Sequence, residues 1–262
     1  GGAGGAASGT AVAATAEDKG SAVVTVQNGS KLTAEKLTLQ AVNKPAVKAV
    51  ADSVAAALID AVGTAVALAD VSGGAGVTVG NSAGVAGVNE LLAGKVNINA
   101  LTGAQDGKRT VEAQAEGNNG AGVTNISANA ATASAKMSAN VTVSDTVYKT
   151  QEEVISDGII FNNDGTIKEN KKTVTVGATQ LNISGVNAAS AAADARGVNV
   201  GGVFASGENI AEAVNASTVN ISLGGGSTAA PVLLGGMNVS ASGTADNLAT
   251  ADGSGGALVN GD

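Results

Sequence analysis

The sequence predicts an all-β chain wound as a β-solenoid, and three observations predict it. The first is side-chain size. The chain has 262 residues, 38 of them Gly, and its 44% hydrophobic content includes no Trp, one Tyr and two Phe. Ala and Val supply most of the rest. Interiors are close-packed, so side chains this small fill one only where backbones lie near each other. The second observation is alternation. Short runs put an aliphatic residue at every second position, with Thr, Asn, Ser or Gln between. Period two places one set of side chains inside and the other outside, and Val, Ile and Thr suit strands. The third is repetition. Aliphatic runs recur from Val77 to Val96, from Val198 to Val219 and from Val219 to Met237. A motif of aliphatic, Asn, aliphatic begins at Leu181, Val198, Val219 and Met237. These steps are all of about 20 residues, the repeat of a solenoid in which small coils stack about 4.8 Å apart. On that reading roughly a dozen coils form a rod about 60 Å long. Outward Asn and Thr then form ladders, and Gly turns the corners.

Taken in order, residues 1–20 read as a Gly/Ala-rich tail or a preceding coil. Residues 21–144 read as a first solenoid part, with strand runs at 22–26, 36–39, 77–79, 96–99, 111–114, 123–127 and 141–143. Within it, 46–63 reads as a short helix. Asn43 is placed to cap it, Pro45 suits the first turn, and Val47, Val50, Val54, Leu58 and Val62 recur at spacings of three and four. The alternative for this stretch is a pair of buried Ala-rich strands. Residues 145–172 read as a hairpin insertion, because Asp164-Gly165 is a tight-turn pair between Ile159, Ile160, Phe161 and Ile167. Residues 173–240 continue the solenoid, and 241–262 form a Gly/Ser-rich tail or a continuing coil.

The missing residue types narrow the chemistry. Without His or Cys there is no imidazole base, thiolate nucleophile, disulfide or Cys-ligated metal centre. The formal charge of −8 disfavours nucleic acid, whose affinity for proteins comes mainly from Lys and Arg. The most apolar stretch carries Lys48, Asp52 and Asp60, so no membrane span is expected. The absence of Cys is common in bacterial surface proteins. A start at Gly1 without Met is that of a processed product or a piece of something longer.

The stretch from Gly73-Gly74-Ala75-Gly76-Val77 to Asn97-Ile98-Asn99-Ala100, with Gly120-Ala121-Gly122-Val123 to Asn140-Val141-Thr142-Val143, resembles the large secreted bacterial filamentous-haemagglutinin-like and leukotoxin-type filamentous adhesins. The resemblance is one of texture over about two thirds of the chain. It implies a right-handed parallel β-helix, export to the cell surface, and a role in attachment or fibre formation. It brings no catalytic residues.

Six features are candidate sites. Asn162 to Glu169 offers oxygens around Gly165 of the kind calcium loops use, but lacks the loop's first Asp and its bidentate Glu, so a plain turn is preferred. Asp252-Gly253-Ser254-Gly255-Gly256 with Asp262 has the texture of a calcium β-roll without its repeat. Gly73-Gly74-Ala75-Gly76 and Gly224-Gly225-Gly226 lack the Gly-Lys-Ser/Thr ending of a phosphate loop and read as corners. Glu152, Glu153 and Asp157, with Tyr148, would serve a β-helical polysaccharide-degrading enzyme, against a solvated charged turn. Thr25, Thr38, Thr78, Thr142 and Thr175 would serve an ice-binding array, against uneven spacing. Asn28, Asn125, Asn140, Asn182, Asn215, Asn220 and Asn238 fit a glycosylation sequon that arises by chance in such a composition. The expectation is therefore a non-enzyme with no catalytic, cofactor or metal residues, calcium being the one weakly suggested ion. It is a structural subunit or stalk of an extracellular bacterial fibre or adhesin. Its expected partners are further copies or a longer native chain, with a host-surface glycan or protein as the attachment target. A phage or viral fibre segment is a further alternative to the enzyme.

Overall fold

The computed structural model describes residues 2–80, 87–144, 146–149, 151–176, 179–224 and 234–261, and the side chains of these except at 2–4, 147–149, 151–160, 168–176, 234 and 259–261. It is all-β: 83% of it is strand, with no helix, and its parallel strands form a sheet that nearly closes on itself.

The strands fall on two opposed faces. One face holds β1 (Gly2–Asp18), β2 (Ser21–Val26), the second part of β4 (Val47–Val79), β7 (Thr124–Val143), β13 (Phe204–Asn215), β14 (Thr218–Leu223) and β17 (Val259–Gly261). The other holds β3 (Lys31–Asn43), the first part of β4, β5 (Asn89–Gly103), β6 (Val111–Ala121), β8 (Thr146–Lys149), β11 (Thr179–Ala188), β12 (Ser190–Gly201), β15 (Leu234–Gly243) and β16 (Asp246–Gly256). Every pairing within these faces is parallel. β4 belongs to both because it bends at Leu58 and Ile59, which are exposed at the corner, and β1 follows the same bend, with Gly2 to Gly5 paired to Val54 to Ala57 of the first part of β4. Successive corners stack through backbone bonds, from Val123 N to Ile59 O (3.0 Å) and from Val203 N to Val123 O (3.1 Å). The corner at the far end of the long face stacks likewise, from Gly80 N to Val26 O (2.8 Å), Ser144 N to Val79 O (2.9 Å) and Gly224 N to Val143 O (2.7 Å).

The vertical repeat is much longer than the sequence spacing implied. Gly2 pairs with Val54, and Val47 with Val111. Thr124 pairs with Phe204, Lys95 with Gln180, and Ser190 with Asp246. The chain thus spends roughly 50 to 85 residues on one layer before it stacks on itself. A rod of a dozen small coils is replaced by a short stack of broad layers. The spacing near 20 is the distance between segments of the same layer. Val77 and Val96 face each other across one interior rather than stacking. Leu181 and Met237, by contrast, do stack.

The expected helix over 46–63 is a strand. Of the residues that suggested its apolar face, Val50, Val54, Leu58 and Val62 are exposed on the outer side of β4 or at its corner, and Val47 alone is turned inward, half-buried against the core. The inward positions are Ala49, Ala51, Ser53 and Ala55, all buried. Spacings of four are even and therefore fit one face of a strand as well as one of a helix. The parallel ladder with β6 decides between them, and the buried Ala-rich strand reading is the one that holds.

Two interiors follow from these inward positions. Between β6 or β12 and β7 the filling is almost all Ala: Ala113, Ala115, Ala131, Ala133, Ala191 and Ala193 are at most 1% exposed. Towards the other corner β5 and β11 pack Val96, Ile98, Leu181 and Ile183 against Val77, Val141 and Val143. The sheets are therefore close at one end of the cross-section and wider at the other. A hairpin is present as β9 (Gln151–Phe161) paired antiparallel with β10 (Ile167–Val176), so residues 173–176, expected in the solenoid, belong to it, and 146–149, expected in the insertion, stack on β5 as β8.

This geometry makes inward and outward substitutions of opposite consequence. Ala51→Leu overfills the thin interior and should lower unfolding stability by about 1–3 kcal/mol. Val54→Thr, on the outer side of the same strand, should stay within about 0.5 kcal/mol. Urea unfolding followed by circular dichroism checks both, and a helix would give the reverse for Val54.

Candidate functional site: the two open edges

Among the described residues, the first and last layers leave strands with one neighbour only. At one end β1, β2 and β3 each pair on a single side. At the other, β14, β15 and β16 do so, and β13 is met by β17 over Phe204, Ala205 and Ser206 alone. An unpaired parallel edge presents a row of free N–H and C=O groups to another chain. Burial follows the same pattern. Val77 and Val141, in inner layers, are 1% exposed. Val24 and Ile221, at the same inward register in the outer layers, are only half-buried.

The interior near the Leu58 corner is polar. Counting by twos from Val111 puts Gly117 and Asn119 inward, after Ala113 and Ala115. Asn119 Oδ1 accepts a hydrogen bond from Ala55 N (3.1 Å), and Asn125 Nδ2 donates across the interior to Asn119 O (2.8 Å). Asn129 Nδ2 donates to Asn209 Oδ1 (2.8 Å) in the layer above. Asn119, Asn129, Asn199 and Asn209 each sit opposite glycine. A Cβ on Gly63 would collide with the Asn119 amide, and one on Gly207 with the Asn199 amide, each well inside the 3.0 Å that real Cβ atoms keep. At the last layer this strip opens as a cleft of about 480 Å³ lined by Asn199, Gly207, Asn209, Asp252, Gly253 and Ser254. Sequence reasoning missed this strip. Alternation misleads at Val198-Asn199-Val200, which reads as Val inward and Asn outward, whereas Asn199 is buried and both Val are exposed.

The outward ladders expected from the sequence are present. Asn182 Nδ2 donates to Asn97 Oδ1 (3.1 Å), and Asn97 Nδ2 to Thr38 Oγ1 (3.4 Å). Asn220 Nδ2 donates to Asn140 Oδ1 (3.0 Å). On the outer side of β6 and β12, Arg196 makes a two-point ion pair with Asp194 (Nη2–Oδ2 2.8 Å, Nε–Oδ1 3.0 Å). That carboxylate holds the guanidinium pKa above its ordinary value. Lys48 pairs with Glu112 (3.2 Å) and Arg109 with Asp246 (3.1 Å), each joining two layers.

The other sequence candidates are placed as follows. Thr25, Thr78 and Thr142 form one column, continued by Ser222, while Thr38 lies on the opposite face and Thr175 on the hairpin. Gly73, at φ 107°, and Gly74 kink β4 where β1 gives way to β2, so this glycine run lies inside a strand. Gly224 ends the β14 corner, and Gly225 and Gly226 lie outside the described residues. Asp252 and Gly253 lie on the edge strand β16, and Asp262 is outside the described residues. Glu152, Glu153 and Asp157 lie on β9 and Tyr148 on β8, with side chains outside those described. Among the described residues no three acidic side chains converge as a metal site would need. In the hairpin turn Asp164 Oδ1 accepts from Thr166 N (3.0 Å) and Thr166 Oγ1 (2.6 Å), and Gly165 has φ 80°. The carboxylate is thus used by its own turn. Of the sequon residues, Asn125 is fully buried, and Asn140, Asn182 and Asn220 stand in the outward ladders.

Comparison with protein-family models, with curated proteins and with solved structures found no match.

The close approaches separate neighbouring glycines. A Cβ on Gly74 would collide with the backbone oxygen of Ser138, whereas one on Gly76 meets nothing within 4 Å. Gly74→Ala should therefore cost about 1–3 kcal/mol by overpacking, and Gly76→Ala should be neutral or stabilising by up to about 1 kcal/mol. Urea midpoints compare them. The Thr166 hydrogen bonds lower the Asp164 pKa. Their contribution to the turn is present above the unfolded Asp pKa and is lost as pH falls through the depressed folded value. Carboxyl-carbon NMR titration should find Asp164 titrating below free Asp, and the shift should shrink in Thr166→Val, which removes the hydroxyl donor and keeps the backbone N–H.

Proposed function

We propose that this chain is a structural subunit or stalk segment of an extracellular bacterial fibre or adhesin, wound as a right-handed β-solenoid and extended by end-to-end stacking of its coils. One observation carries this reading: among the described residues, both ends of the stack present unpaired parallel strands over half-open interiors. Right-handed winding is the expected hand, since crossovers between parallel strands are right-handed in nearly all known cases. The mechanism is mechanical and associative. Backbone pairing transmits load along the stack, while outward ladders and ion pairs such as Lys48–Glu112 tie layer to layer. The outer faces would carry attachment to a host-surface glycan or protein, and the acidic charge of −8 would keep a crowded fibre soluble.

Sedimentation velocity and electron microscopy across a range of protein concentrations test this. The expected result is species that lengthen with concentration and filaments of constant width. A single compact species at every concentration would overturn it. In the producing cell, protease applied from outside should cleave the chain, and complete protection would count against a surface location.

A further inference from the structure

We infer that the occupant of the β13–β16 edge is the β1–β4 edge of a second copy of this chain, docked head to tail in one register. The inference rests on the fibre reading above and specifies its partner and geometry.

Three observations converge on it. The first is that the two edges have the same plan. Through β4 and β7, residues 7–18 are aligned with 204–215, and 21–26 with 218–223. Each edge is thus a long stretch, a break of two positions, and a short stretch, with the long stretch of the last layer open from Gly207, since β17 already covers Phe204 to Ser206. On the opposite face, 36–43 is aligned with 236–243 through β5 and β11, and each is followed by a short break before β4 or the paired stretch of β16. The matching layer inside the stack differs, since residues 103–110 fill that break between β5 and β6. Residues 10–18 and 21–26 of the second copy thus find 207–215 and 218–223 open, whereas its residues 2–9 would take the positions that 254–261 already hold over 198–206, so docking in this register displaces residues 2–9 from the second copy's own β4.

The second is charge. Residues 1–53 carry Lys19, Lys31, Lys36, Lys44 and Lys48 against Glu17, Asp18, Glu35 and Asp52, a formal +1. Residues 198–262 carry Glu208, Glu212, Asp246, Asp252 and Asp262 with no Lys or Arg, a formal −5. Tail-to-tail contact sets −5 against −5, whereas head to tail sets opposite signs together. A heterologous contact of this kind does not close on itself and propagates as a filament.

The third is the cleft at the last layer. Inside the stack Asn129 is received by Gly117 and Gly197 of the facing strands, and Asn209 by Gly197 and Gly253. The next position in the column that runs from Ala65 through Asn129 to Asn209 would be Val12 of the second copy. Val12 would enter the cleft over Asn209 and Gly253, and its own half-buried state would be completed there.

Register-specific disulfide formation tests this, and the chain has no Cys to interfere. In the proposed contact Thr25 of one copy lies beside Ser222 of the other. Within one copy they are separated by Thr78 and Thr142, three strand spacings or about 14 Å, beyond the roughly 7 Å reach of a disulfide. Both positions are exposed on outer faces. Mixing Thr25→Cys chains with Ser222→Cys chains under mild oxidation should give a cross-linked pair containing one of each. The doubly substituted chain should give a ladder of multimers on a non-reducing gel. Thr25→Cys with Asn220→Cys, shifted by two positions, should give at least tenfold less. Circular dichroism of the reduced variants confirms that each is folded. Equal cross-linking at the shifted pair, or pairing of Ser222→Cys chains with each other, overturns the register and polarity. If filaments form with no cross-link at 25/222, this inference fails and the fibre reading stands. If the wild-type chain stays a single compact species, both fail.

Discussion

The thinness of the interior governs the rest of this structure. Where Ala alone separates two sheets, a substitution by one larger residue has nowhere to go, because interiors are packed as densely as molecular crystals. The chain meets this constraint with strict parity. Ala113, Ala115, Ala131 and Ala133 take the inward positions, and larger residues such as Val54 and Val66 are turned out. Hydrophobic burial per residue is consequently small, and cohesion rests more heavily on the parallel backbone ladder than in a domain with an aromatic core. That balance suits a layered body better than a globule. Each layer is useful only when another lies on it.

Where the sheets approach even more closely, at the Leu58 corner, Ala gives way to Gly, and the space left is filled by Asn from the facing strand. Asn is suited to this because its amide can serve backbone groups across the gap, as Asn125 does for the Asn119 carbonyl. Asn187 and Asn215 do the same at the breaks in the long face, reaching Met137 O at 3.0 Å and Ala189 O at 2.7 Å. The interior is therefore sealed partly by amides, and the interruptions in the strands are satisfied from within. Polar groups buried in this way constrain register more than they add stability, because a slip of one position would strand them without partners.

Much of this is legible in the sequence. Strand identity follows from alternation, the small interior from composition, the ladders from outward Asn97 and Asn182, and the hairpin from Asp164-Gly165. The layer length is not legible. Runs facing each other across an interior look the same as runs stacked on each other, so the distance from Val77 to Val96 mimics a repeat. The 46–63 stretch misleads for a related reason. Its Val residues at intervals of four fit both periods, and the Ala residues between them, which line the interior, give no contrast. For the edges, alternation continues unchanged from inner to outer strands, so which strands lack neighbours is set by topology alone.

The hairpin has a consequence for how such a body can vary. β8 is aligned with residues 89–92 of β5, and β11 resumes opposite Lys95, so about thirty residues leave and return within the width of two ladder positions. From Gln180 onward the ladders run in register, with one irregularity where Thr179 and Gln180 meet Leu234 and Gly236, and the long intervals from Lys95 to Gln180 and from Thr124 to Phe204 contain the insertion. The stack thus possesses a port at which sequence can be exchanged, lengthened or decorated independently of the scaffold. In a polymer of many copies, whatever is grafted there would be displayed at regular intervals along one side.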